Sequence, residues 1–301
     1  PEGYTVAQRR RAGFSNARRI SEATQRALNN WDGCTMIDEL IQSMAGKKRI
    51  AVLTGAGMST ESGLPDFRSA DGLWRQHRPE ELASIEALYH RPLLFYEFYR
   101  FRLELLKQAA PNPAHLALVE LERRGRLEAI VTQNVDGLHS LAGSREVAEI
   151  HGTLRQARCH DCARVYPVSW LEKPVEDLAL LPRCTCGGLI RPGVVLFGEM
   201  LPQEALNRAV EAMERCDGLL IVEEYDLRPE DEIYLKKAGL LIVGSSLQVH
   251  PAASLPQMVF ERNKPLWIIN LDPTPYDGVA DIVVRAKAGE VLPKVAANLE
   301  H

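Results

Sequence analysis

The chain has 301 residues, 46% of them hydrophobic and 25% charged, and its 36 Lys and Arg against 40 Asp and Glu leave a formal net charge of -4. That length and mixture allow a large buried core, no apolar run reaches the roughly 20 residues needed to cross a bilayer, and no signal peptide opens the chain. The acidic balance argues against general nucleic-acid binding, which draws its affinity from basic surface, so a cytoplasmic protein with no membrane partner is expected.

Residues 1–35 carry Arg9, Arg10, Arg11, Arg18, Arg19 and Arg26 against Glu2, Glu22 and Asp32, and the first Met is Met36. They are expected to be an extension, either added sequence or a native amphipathic arm. Arg49 to Thr54 is an apolar run that ends in Gly55-Ala56-Gly57, as where a parallel strand stops and backbone N–H groups approach a pyrophosphate. The third glycine of a dehydrogenase fingerprint is missing. The chain instead runs into Ser62-Gly63-Leu64-Pro65-Asp66-Phe67-Arg68, which predicts a loop over the ligand.

Residues 71–112 read as a helical insert. Helical patterns at Pro113–Arg123 and Pro202–Arg215 alternate with β-branched runs at Glu128–Thr132, Gly239–Val243 and Leu266–Asn270. This alternation predicts an α/β fold, a Rossmann-like doubly wound parallel sheet, with a smaller domain made of the helical insert and a cysteine-bearing ribbon. Ligands of such sheets lie beyond the carboxyl ends of the strands. Gly55, Gln133, Gly244 and Asn270 are therefore expected along one edge. The terminal Leu299-Glu300-His301 resembles the stub of a tag and is set aside from the fold.

Residues 155–190 hold four of the six cysteines. Cys159-His160-Asp161-Cys162 and Cys184-Thr185-Cys186-Gly187-Gly188 form two close pairs, which suit the tetrahedral preference of Zn²⁺. The second pair is C-x-C, a tight turn that the two glycines permit. His160 competes as a ligand, and buried free thiols or a disulfide are the alternatives. Four sulfurs would close the shell to substrate, so the predicted metal is structural. For Cys34 and Cys216, packing is the default.

Read in order, GAGMSTESGLPDFRS with DGLW, TQNVDGLH, HGT, the paired cysteines, RPGVVLFGE and GSSLQVHPAASLP resemble the sirtuin family of NAD-dependent protein-lysine deacylases, from about Met36 to about Val295. The resemblance implies a catalytic domain over about 36–298. Its large part would comprise about 36–70, 113–154 and 191–298, with the helical insert at 71–112 and the zinc module at 155–190. It also implies a reaction in which NAD is cleaved at the nicotinamide–ribose bond and the acyl group passes from lysine to ADP-ribose. Such a site must hold the carboxamide and exclude water.

By that resemblance Asn134 and Asp136 hold the carboxamide, Gln133 lies near the ribose, Phe67 covers the reactive face, and Asp66 and Arg68 order the loop. His151 is the general base, since an imidazole titrates near neutrality and can accept a ribose hydroxyl proton. Gly55, Ala56, Gly57, Gly244, Ser245 and Ser246 would face phosphate, Asn270 the adenosine ribose, and Lys287 with Ala288 the adenine. The extended run Val194–Glu199 can pair with a substrate backbone as an added strand. Val195 and Phe197 would then line a lysine tunnel.

Tyr99 and Arg102 stand three apart in a helical segment, so both can project from one face, and an Arg fork beside a phenol can bind a carboxylate. Ala83, Tyr99 and Arg102 are similar to the acyl-pocket residues of the sirtuin branch that removes succinyl and malonyl groups. The expected activity is thus removal of acetyl, and also succinyl or malonyl, groups from acylated-lysine proteins. A mono-ADP-ribosyltransferase on the same site, or a non-catalytic NAD- or zinc-stabilised binding module, are the competing functions.

One segment departs from the family pattern. Gly218-Leu219-Leu220-Ile221-Val222 is followed by an acidic stretch, and Gly239-Leu240-Leu241-Ile242-Val243 then repeats it, so about 218–238 reads as an insertion. Because the second copy abuts Gly244, it is expected to hold the sheet position, with the first at an edge or in an excursion.

Overall fold

The computed structural model describes residues 33–65, 79–222, 255–274 and 276–299. Asp66, Phe67, Arg68, Gly244, Ser245 and Ser246 lie outside the described residues, as does the second copy of the repeat.

Helix α1 (Gly33–Met44) leads into strand β1 (Ile50–Thr54). Two short 3-10 turns, Ala56–Met58 and Thr60–Ser62, follow the strand. Next come α2 (Pro79–Leu82), α3 (Ile85–His90), α4 (Pro92–Gln108), α5 (Pro113–Arg123), β2 (Leu127–Thr132), α6 (Leu138–Ala142) and β3 (Val147–Glu149). Strands β4 (Gly152–Cys159), β5 (Val165–Pro167) and β6 (Ile190–Val194) precede α7 (Gln203–Arg215) and β7 (Gly218–Val222). The described chain ends with α8 (Leu255–Phe260), β8 (Leu266–Ile269), β9 (Ile282–Val284) and α9 (Ala288–Asn298). Among the described residues, no helix is long and apolar enough to cross a membrane.

Six strands form one parallel sheet in the order β3-β2-β1-β7-β8-β9. Parallel strands covered on both faces read as continuous apolar runs rather than alternating ones, and all five residues of β1 and of β7 are buried. Side chains of a strand still alternate between faces. Ile50 and Val52 pack with α1, α5 and α9, whereas Ala51 and Leu53 pack with α7 and α8.

The smaller part is an antiparallel sheet, β5-β4-β6, that shares a third core with the helical insert. On α4, the buried Phe95, Tyr96, Phe98, Tyr99, Leu103 and Leu106 recur at helical spacing and meet Leu154, Ala157, Ile190 and Val194. Tyr96 Oη donates to the Ile190 carbonyl at 2.8 Å, which satisfies the one polar atom of an otherwise apolar contact. Helical insert and ribbon are therefore one packed unit.

Two expectations are corrected here. The first copy of the repeat, β7, occupies the central sheet position between β1 and β8. The apolar text of the two copies is identical, but the residue before each differs. Asp217 accepts from the backbone N–H groups of Lys48 and Arg49, each at 3.1 Å, and its own N–H donates to the Arg49 carbonyl at 2.7 Å. The equivalent residue of the second copy is Ala238, which has no carboxylate. Gly218 also seats the strand, since a Cβ there would come within 2.5 Å of the buried Trp267 ring.

The second correction concerns the C-terminus. Leu299 is 2% exposed in the core that α1, α5 and α9 build, and Arg124 bonds the Ala296 carbonyl at 2.7 Å beside it. It belongs to the fold. At the other end, α1 begins at Gly33, before Met36.

Candidate active site and metal centre

The carboxyl ends of β1, β2 and β8 bring Gly55, Gln133 and Asn270 to one edge of the sheet, as a doubly wound topology requires. The Gln133 N–H donates to the Thr54 carbonyl at 2.9 Å, so the two strand ends are tied before they diverge. The turn from Ala56 to Met58 then folds under the crevice. A cavity there is lined by Ala56, Ser59, Arg102, Asn134, Asp136 and Leu154, residues drawn from both sheets and from the helical insert.

Asn134 and Asp136 are each 6% exposed. Asn134 Nδ2 donates to the Gly55 carbonyl at 2.8 Å and to Ser59 Oγ at 3.1 Å, and Ser59 Oγ donates onward to Asp136 Oδ2 at 2.8 Å. Asp136 Oδ1 accepts from the Leu138 N–H at 2.8 Å, holding the start of α6. Both amide protons of Asn134 are thereby committed within the protein, which leaves Oδ1 as its group for a ligand. Ser59 joins the pair, and sequence reasoning did not single it out. Its signal was its place two residues after the glycine turn, but nothing local shows that a residue on β1's loop will bridge two residues beyond β2.

His151 follows β3 and precedes β4, the point where the large sheet hands the chain to the small one. Its Nδ1 lies 2.9 Å from the Gln133 carbonyl, which fixes the ring proton on that nitrogen, and its Nε2 is buried without a protein partner. Burial pushes its pKa down, opposed by the Gln133 carbonyl, which favours the charged ring. The ring is thus poised as a neutral base. Gly152 has φ of 73°, and a Cβ there would lie 2.3 Å from the Gly193 carbonyl oxygen, so the residue after the base is required to be glycine.

The run after β6 is anchored at this same point. The Val195 N–H donates to the His151 carbonyl at 2.8 Å. The Phe197 N–H donates to the Ala83 carbonyl at 2.9 Å, and its carbonyl accepts from the Ile85 N–H at 3.2 Å. Those partners are residues of the chain itself, so the run is tied down at Val195 and Phe197. Buried Arg191 and half-buried Glu199 form an ion pair, and Glu199 Oε2 accepts from the Leu196 N–H at 2.8 Å.

Ala83 and Tyr99 are buried, at 6% and 1% exposure, and the Arg102 guanidinium carbon stands 5.9 Å from the Tyr99 ring centroid and 5.8 Å from that of Phe98. Burial raises the Tyr99 pKa to about 12, against the opposing pull of Arg102. Burial also lowers that of Arg102, opposed by Tyr99 and Asp136. A guanidinium remains charged under either influence. Arg102 reaches the cavity that holds Asn134 and Asp136.

At the end of β8, the Asn270 N–H donates to the Val284 carbonyl at 3.0 Å and its Nδ2 to the Asp272 carbonyl at 2.7 Å. Lys287 precedes α9 and Ala288 opens it; Glu61, from the turn after β1, accepts the Gly289 N–H at 2.8 Å. The start of α9 is thus fastened to the turn after β1.

The four sulfurs of Cys159, Cys162, Cys184 and Cys186 all lie within 4.8 Å of one another. Cys159 to Cys186 is 3.5 Å and Cys162 to Cys184 is 3.6 Å. A tetrahedron with Zn–S bonds of about 2.3 Å has edges of about 3.8 Å, so the spacing fits zinc. Tyr166 Oη donates to Cys184 Sγ at 2.9 Å, an outer contact that suits a thiolate. His160 lies outside the group and packs edge-on to Tyr89, 5.4 Å between centroids. Cys216 is buried at the end of α7, its thiol directed to the Met213 carbonyl.

Residues 55–224 match the model of the Sir2 family. NAD-dependent protein deacylase 1 of Archaeoglobus fulgidus is 42% identical over 265 residues, covering 88% of this chain and 98% of that protein. The crystal structure of a Sir2 homolog–NAD complex superposes with a TM-score of 0.72 at 42% identity, over 87% of this chain and 93% of that one. Sir2Tm bound to a propionylated peptide gives a TM-score of 0.69 at 33% identity, over 87% and 97%.

Proposed function

We infer, from the premise that this chain belongs to the Sir2 family, that it is an NAD-dependent protein-lysine deacylase with a structural zinc site. The observation that carries the reading is the bond from Val195 to the His151 carbonyl, which locks the wall of the acyl-lysine tunnel to the base. The relatives support it: one is named an NAD-dependent protein deacylase, and a neighbouring structure holds a propionylated peptide.

NAD, when bound, supplies the ribose carbon that accepts the acyl group as nicotinamide leaves. Gly55, Ala56 and Gly57 present the phosphate-facing turn. Asn134 Oδ1 and the Asp136 carboxylate hold the carboxamide, while Asn270, Lys287 and Ala288 serve the adenosine end. His151 Nε2 takes a proton from a ribose hydroxyl, and its Nδ1–H stays on the Gln133 carbonyl as the ring becomes charged. Val195 and Phe197 exclude water beside it, which favours transfer to the sugar over hydrolysis. Cys159, Cys162, Cys184 and Cys186 would hold zinc in a closed four-sulfur shell.

Within this activity, Ala83, Tyr99 and Arg102 form a pocket for acidic acyl groups. Arg102→Met is expected to lower kcat/KM for succinyl-lysine by about tenfold or more and for acetyl-lysine by less than about threefold, since only the succinyl carboxylate loses a charged partner. An equal loss on both peptides excludes the carboxylate clamp. The class of reaction is tested by incubating the zinc-loaded protein with NAD and matched acetyl-, succinyl- and malonyl-lysine peptides and weighing the products. Deacylated peptide with O-acyl-ADP-ribose supports it, and peptide gaining ADP-ribose identifies the transferase instead.

A further inference from the structure

A buried histidine that the deacylation does not use stands directly behind the carboxamide clamp. His139, on α6, is 2% exposed, and its Nε2 lies 3.0 Å from Thr54 Oγ1. Thr54 Oγ1 is 2.8 Å from Thr132 Oγ1, which accepts the Asn134 N–H at 3.1 Å. The two threonines are the last residues of β1 and β2 and face each other across the sheet.

One order of the protons in this chain leaves no buried N–H unpaired. A neutral imidazole carries one N–H, and His139 Nδ1 is buried without a protein partner. With the proton on Nε2, His139 donates to Thr54. The Thr54 hydroxyl is then free to donate to Thr132, and a Thr132 lone pair receives the Asn134 N–H. Without Thr54, the Thr132 hydroxyl can rotate away, since nothing else in this chain of bonds holds its direction.

His115 supports the arrangement from behind. Its ring lies 4.8 Å from that of His139, and it completes the capping box of Asn112, whose Nδ2 donates to the Met58 carbonyl in the cofactor loop at 2.8 Å. Burial holds both rings neutral, His115 down to about 4 against Asp136 and His139 down to about 3 with His115 adding to the effect.

We propose that His139, acting through Thr54 and Thr132, is a positioning residue that fixes the Asn134 backbone and thereby aims the carboxamide clamp. The proposal deepens the deacylase reading and rests on it for the assignment of Asn134 to nicotinamide.

The test compares two ligands that differ in the nicotinamide group, non-hydrolysable carba-NAD and ADP-ribose, by calorimetry on the full zinc-loaded chain. His139→Leu and Thr132→Val are expected to weaken carba-NAD by about tenfold while ADP-ribose stays within about twofold, as loss of one buried hydrogen bond in the relay should cost. His139→Gln, which returns a donor near the Nε2 position, is expected to recover most of that loss. Equal weakening of both ligands, or no weakening of either, overturns the proposal. Thr132→Val keeps the core shape, so it decides the matter alone if His139→Leu fails to fold. Failure of the deacylase reading shows separately, as wild-type protein that releases no nicotinamide with an acyl-lysine peptide.

Discussion

Replacing His151 with Ala is expected to lower deacylation turnover by about 10²- to 10⁴-fold, the usual worth of a positioned general base, while affinity for ADP-ribose is retained. The two properties separate because the residue touches different parts of the structure through backbone and side chain. Its carbonyl receives the Val195 N–H, a contact that Ala preserves. Its imidazole alone presents the buried Nε2.

The pH dependence follows from the same environment. Burial depresses the His151 pKa, so the base form prevails at neutral pH and the rate limb lies on the acid side, with its midpoint below the ordinary histidine value of about 6.5. The rate should therefore rise as pH increases through that lower midpoint and level off by neutrality. A pH profile of kcat/KM, which reports the free enzyme, measures the midpoint. His151→Ala should abolish the limb along with the rate, and turnover that survives with an unchanged limb removes the base assignment.

Stripping the metal is expected to abolish turnover as completely, by a different physical route. Zinc binding by four thiolates is folding free energy, of order 10 kcal/mol or more in small zinc modules. The sulfurs join the end of β4 to the loop that leads into β6. These strands begin next to His151 and end next to Val195, so loosening them displaces the base and the tunnel together. The large parallel sheet has separate cores against α1, α5 and α9 and against α7 and α8.

Chelator-treated protein, or Cys162→Ser, should thus lose deacylation while ADP-ribose binding persists. Proteolysis should open between 160 and 186. Reloading with Zn²⁺ restores activity, and Co²⁺ in its place should support turnover within about twofold, because a closed tetrahedral shell has no position for substrate. Turnover that persists after verified removal of the metal would show that the cysteine site does not support the active site.

The parallel sheet was legible because its strands are short apolar runs separated by helical periodicity, a pattern that burial on both faces imposes on sequence. The cysteine site was equally legible, since two close pairs need only a ribbon to bring them together, and the sulfur spacing fits that reading. Gly55, Gln133 and Asn270 could be picked out because they follow strands, where ligands of such sheets gather, whereas Asn134, Asp136 and His151 stood out by the resemblance of TQNVDGLH and HGT to family motifs.

The repeat shows where that legibility stops. Gly218–Val222 and Gly239–Val243 carry the same five residues, and propensity cannot separate identical text. The two copies differ at the residue before them, and the Asp217 carboxylate accepts from the backbone N–H groups of Lys48 and Arg49, 169 and 168 positions away in the chain.

The sequence by itself determined that a parallel sheet forms and which four cysteines cluster, because apolar periodicity and cysteine spacing are local properties. Tertiary structure alone decided which repeat enters the sheet, that Ser59 bridges Asn134 to Asp136, that Val195 hangs on the His151 carbonyl, and that His139 stands behind Thr54 and Thr132. Each of these is a hydrogen bond between residues brought together by packing, and a directional contact of that kind leaves no period in the chain that makes it.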